Sequence, residues 1–161
     1  MLSIFFNQKR YAEIIIYFLI VLLPFTLASG PFLSDLSISL ITIIFIYITF
    51  KNKIYFYYLN KFSIIFGLFF LFLLFTSLFS LDPYISISKT FFFFRFWIFT
   101  LAVWYIFNIS KNKLTKSLII SFTIVFILLI SDGYLQFFFK ENILGWPIQG
   151  TRVSSFFKDE L

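Results

Sequence analysis

The sequence predicts an all-α membrane protein of about five transmembrane helices, with its N-terminus inside and its C-terminus outside. Three observations predict it. Residues 62–81 run without a charge, and at about 1.5 Å of rise per residue such a helix covers roughly 30 Å, the hydrocarbon core of a bilayer. The 161 residues are 61% hydrophobic, 25% aromatic and 12% charged, with mean hydropathy +0.99. That is more apolar surface than a soluble core of this size can hide. Lys and Arg alternate between the connectors, which sets the orientation.

The first span, residues 14–29, contains Pro24, which a membrane helix tolerates because neighbouring groups satisfy the freed carbonyl. Gly30 and Pro31 end it. A cleaved signal peptide is the alternative, since Thr26 and Ala28 put small residues three and one positions before a cleavage site after Ala28. Spans at 33–50, 62–81, 90–109 and 114–130 follow by length and hydropathy. Lys9 and Arg10 precede the first span. Lys51, Lys53 and Lys61 separate the second from the third, and Lys111, Lys113 and Lys116 lie between the fourth and fifth or open the latter. These basic segments, including the N-terminal residues 1–13, are expected in the cytoplasm. The turns at 30–31 and 82–89 hold only Lys89 among them, so they and residues 132–161 are expected outside. Tyr55, Tyr57, Tyr58, Trp104 and Tyr105 fall near cytoplasmic boundaries, where amphipathic rings settle.

Composition excludes much chemistry. With no Cys and no His, the chain has no disulfide, no thiolate metal site and no His-based acid/base pair. The net charge of +6 sits in short connectors between apolar spans, which membrane insertion explains better than nucleic acid. The 29 Phe residues fit AT-rich codon usage filling lipid-facing positions.

Few polar residues remain to carry chemistry. Arg95 is the one charge well inside an apolar span, where a cation costs roughly 2.5–3.5 kcal/mol at the bilayer centre. If its span starts at Thr90, Arg95 lies roughly 8 Å in and snorkels to the outer interface. The functional alternative is an anion contact, shared with Lys89. The tail differs from everything before it, with Gly133, Gly145, Pro147 and Gly150 to break helix and Gln136, Asn142, Gln149 and Arg152 to hydrogen-bond. Arg152 is the leading candidate for recognising a diphosphate at the membrane surface, because a guanidinium holds two phosphate oxygens at once. A plain solvated loop accounts for the tail equally well. The closing residues Lys158, Asp159, Glu160 and Leu161 spell a reticulum-retention address, and Asn108 opens a glycosylation sequon. Both are read as chance.

The segments LPFTLASGPFLSDLSIS and SLFSLDPYISISK at the two outer turns, and DGYLQFFFKENILGW with RVSSFFKDEL after the fifth span, resemble in order the amino-terminal portion of the O-antigen ligase and polymerase family. Asp132, Gln136, Asn142, Gly145, Arg152, Phe157, Asp159 and Glu160 carry the likeness. The resemblance implies a multi-pass protein of the bacterial inner membrane. It implies a metal-independent glycosyltransferase acting on undecaprenyl diphosphate-linked glycan at the outer face, in lipopolysaccharide or surface polysaccharide assembly. No cofactor and no nucleotide sugar are implied. Arg152, Lys89, Arg95 and Gln136 are the residues expected at the carrier diphosphate, and no catalytic base is identified. Family members carry further spans and a later outer loop with required Arg and His residues, so the chain is expected to be an incomplete enzyme and inactive by itself. The other reading is a non-enzymatic membrane module, an accessory subunit or transporter fragment.

Overall fold

The computed structural model describes the backbone of residues 2–145 and the side chains of residues 11–145. Those residues are helical, with no extended strand: α1 Leu2–Ser29, α2 Pro31–Asn52, a 3₁₀ turn Tyr55–Tyr58, α3 Lys61–Leu78, α4 Pro83–Phe92 and α5 Phe94–Phe139. Among the described residues four stretches are long and apolar enough to cross a membrane: Tyr11–Ser29, Pro31–Asn52, Lys61–Leu78 and Pro83–Phe139. The membrane class read from the sequence therefore stands.

Local chemistry sets the boundaries. Gly30 takes φ +126, a conformation costly for any residue with a Cβ, so α1 stops there. Pro31 then opens α2, where its missing N–H is not needed. Asp82 and Pro83 likewise start α4 seven residues before the expected start at Thr90. Hydropathy alone passed over that signal, because a proline at the first helical position marks a start whatever the polarity around it. The third helix stops at Leu78, short of the expected 81. The last helix continues to Phe139, so Gly133, expected to break it, lies within it. Inside α5, Ser110 has non-helical angles of φ −136 and ψ 37.

The chain divides into two compact units. Unit 1 comprises Met1–Tyr17 and Ile38–Ser110, and unit 2 comprises Phe18–Ser37 and Lys111–Leu161. Unit 1 has its core on Ile16, Ile41, Phe45, Ile48, Leu101, Ala102 and Ile106, all 2% exposed or less. Ile41, Phe45 and Ile48 recur at the spacing of one helix face. Tyr57 and Tyr58, in the 3₁₀ turn, continue this core as aromatic packing. The Tyr57 ring stands edge-on to Trp104 and Tyr105, and Tyr58 edge-on to Trp97. Outward-facing Leu68, Phe72 and Phe75 on α3 need an apolar surround, which lipid supplies.

In unit 2, Ser121 Oγ donates to the Val21 carbonyl at 2.6 Å. Val21 lies three residues before Pro24, next to the Ile20 carbonyl that the proline leaves without its amide, so the neighbouring hydroxyl adds a bond in the turn that the proline ring crowds. Around that bond, apolar grooves run between Phe18, Leu22 and Phe25 on one side and Ile120 and Ile124 on the other.

Candidate functional site

Arg95 sits one residue into α5, after a break at Phe93 where the amides of Phe93 and Phe96 turn to the tighter i−3 pattern. Because its helical stretch begins at Pro83, Arg95 lies about 18 Å along the chain axis from that start, rather than the roughly 8 Å expected from Thr90. It is half-buried. Its Nη1 donates to Ser39 Oγ on α2 at 3.4 Å, and the guanidinium lies 5.1 Å from the centre of the Phe96 ring. Thr42 Oγ1, one turn further along α2, donates to the Arg95 carbonyl at 3.1 Å and to its own Ile38 carbonyl at 2.8 Å. Ser39 and Thr42 are three apart, so α2 presents both on one face. The arrangement holds a fixed positive charge well inside an apolar stretch, braced by hydroxyls.

Further polar pairs tie unit 1 together at successive levels of α4 and α5. The Ser77 and Thr90 hydroxyls lie 2.7 Å apart. Trp97 Nε1 donates to Ser63 Oγ at 3.2 Å, and Asn108 Nδ2 to the Tyr57 hydroxyl at 3.2 Å. Tyr105, 5% exposed, donates its hydroxyl to Glu13 Oε1 at 2.5 Å. Burial raises the Tyr58 hydroxyl above its ordinary range, and the bond with Thr49 at 3.3 Å works against that rise.

The second polar centre is the end of α5 in unit 2. Asp132 and Gln136 are fully buried and Asn142 is 6% exposed. Asp132 and Gln136 are four apart and share a helix face. After Phe139, Lys140 takes the left-handed conformation at φ 65, a helix stop more often given to Gly or Asn. The chain then turns back, and the Ile143 amide donates to Asp132 Oδ1 at 2.8 Å. Asn142 closes the turn, accepting from the Leu144 amide through Oδ1 at 3.0 Å and from the Gly145 amide through its carbonyl at 2.9 Å. A buried carboxylate that accepts a backbone amide is satisfied as a hydrogen-bond acceptor and holds the return of the chain.

Of the four residues expected at a diphosphate, Lys89 is exposed in the last turn of α4. Arg95 lies in the same unit, beyond the Phe93 break. Gln136 belongs to unit 2 and is buried. Arg152 lies outside the described residues. Sequence reasoning passed over Ser39, Thr42, Ser63, Trp97 and Glu13, and read Asn108 only as a chance sequon. Their signal was spacing along helix faces, hidden by the surrounding Phe and Ile. Among the described residues no three acidic side chains gather closely enough to hold a metal ion. No protein family, curated protein or solved structure matches this chain.

Proposed function

We propose that this chain is a five-crossing protein of the bacterial inner membrane that supplies the carrier-facing part of a metal-independent glycosyltransferase. Its substrate is an undecaprenyl diphosphate-linked glycan at the outer face, in lipopolysaccharide or surface polysaccharide assembly. The stretch Pro83–Phe139 has 57 residues, about 85 Å as a straight helix and nearly three hydrocarbon cores. Two crossings separated near the non-helical Ser110, with Lys111, Lys113 and Lys116 held in the cytoplasm, account for that length. The tail then faces outward.

One observation carries the glycan reading. Asp132, Gln136 and Asn142, which carry the family resemblance, are also the buried residues of the described tail. A plainly solvated segment has no need to bury a carboxylate and two amides, whereas a substrate-facing segment needs a fixed backbone. In this reading Gln136 is a positioning residue. Arg152 meets the diphosphate. The acceptor hydroxyl attacks the anomeric carbon with inversion as the diphosphate departs, and the guanidinium stabilises the charge growing on that leaving group.

The test is Arg152→Ala in cells whose glycan transfer depends on this chain. Transfer is expected to fall at least about tenfold, the effect of losing one charge-assisted contact to a buried or partly desolvated anion, with insertion and abundance unchanged. Unchanged transfer removes Arg152 from the site. A cysteine at Ser154 that is shielded in intact cells and labelled only after permeabilisation overturns the orientation.

A further inference from the structure

The connector between α2 and α3 joins two membrane-length helices and is fixed from within. Tyr57 is 7% exposed and its hydroxyl accepts from Asn108. Asn60 caps α3, accepting from the Ser63 amide at 2.9 Å and donating from its amide nitrogen to the Tyr57 carbonyl. The outer side is unlike the inner. Phe56 and Leu59 are 65% and 81% exposed, and Lys53 and Lys61 flank them, also exposed.

Local stability asks for neither lysine. Lys53 takes φ 53 after the end of α2, where Gly or Asn is the easier residue. Lys61 is the first residue of α3, the helix end at which the macrodipole disfavours a cation. No Asp or Glu occurs between Asp35 and Asp82, so nothing nearby in the sequence neutralises them.

We propose that this connector is a binding surface for anionic phospholipid, with Lys53 and Lys61 on the headgroup phosphate and Phe56 and Leu59 seated among the acyl chains. Two ends of membrane-length helices hold the connector at the bilayer surface whichever side it faces, so the inference does not depend on the glycan reading. A soluble acidic partner satisfies the lysines but leaves Phe56 and Leu59 in water. A lipid of the adjoining leaflet satisfies both.

Native mass spectrometry of the full chain, offered phosphatidylglycerol or phosphatidylcholine at equal concentration, tests it. Phosphatidylglycerol is expected to bind more tightly, by about fivefold for each lysine and about 25-fold for the pair. K53Q/K61Q brings it to the level of phosphatidylcholine, while K53R/K61R keeps the preference. Phe56→Ser with Leu59→Ser weakens both lipids alike. Inorganic phosphate fails to displace the bound lipid. Equal binding of the two lipids by the native chain, an undiminished preference in K53Q/K61Q, or displacement by inorganic phosphate overturns the proposal.

Discussion

The two units use polar groups in opposite ways. Unit 1 spreads them along its helices, so that Ser77 with Thr90, Trp97 with Ser63, Asn108 with Tyr57 and Tyr105 with Glu13 join segments at successive levels. Unit 2 gathers its carboxylate and amides at one end, around Asp132, Gln136 and Asn142, and leaves apolar grooves beside the Ser121 bond. In a bilayer lipid tails are as apolar as Leu, so helix association rests on close packing and hydrogen bonds. Apolar content therefore marks a chain as a membrane protein, and the placement of a few polar atoms decides which parts of it are held rigidly.

The sharpest way to strain that contrast is Arg95→Leu. It removes the one cation deep in an apolar stretch of unit 1, and it relieves an insertion penalty of about 2.5–3.5 kcal/mol. Insertion of the segment from Pro83 onward is expected to improve by that order in a translocation assay. An unchanged insertion efficiency means that Arg95 reaches the interface after all, as its expected start at Thr90 implied.

Asp132→Ala comes next, and addresses unit 2. It leaves the Ile143 amide without its acceptor, for a loss of about 2 kcal/mol in local stability. Hydrogen exchange at Ile143 should accelerate about 30-fold, the factor that energy corresponds to. Amides of unit 1 keep their rates. Acceleration throughout the chain instead of at the turn tells against a local role for Asp132.

How far the sequence could be read follows from the same contrast. Length and hydropathy identify the apolar helices because burial in lipid is a sum over many residues, and errors at single positions cancel. Boundaries depend on single positions, which is why Pro83 moved the start of α4 and with it the depth of Arg95. Gly133 shows the converse. It looks like a breaker by propensity, yet it sits within α5, between the buried Asp132 and Gln136. The tail residues Asp132, Gln136 and Asn142 were legible as a group since they are polar residues in an apolar chain, but their burial was not. Ser39 and Thr42 were the opposite case. Small hydroxyls among Ile and Leu carry no contrast in hydropathy, and only their three-residue spacing, set against a partner helix, makes them a brace for Arg95.

The smallest expected effect isolates the one described hydroxyl bond between the α1 and α5 segments of unit 2. Ser121→Ala deletes the donor to Val21, and interhelical hydrogen bonds in membranes average about 0.6 kcal/mol. Pro24 makes this instance informative, because it removes the amide that would bond the neighbouring Ile20 carbonyl and its ring crowds the turn that holds Val21. A shift of that size should appear in steric-trapping or denaturant unfolding in micelles. Pro24→Ala in the same background tests the cause. If the serine matters because it repairs the proline turn, Ser121→Ala becomes nearly silent once Pro24 is gone. An equal loss with and without Pro24 assigns the bond to helix pairing alone.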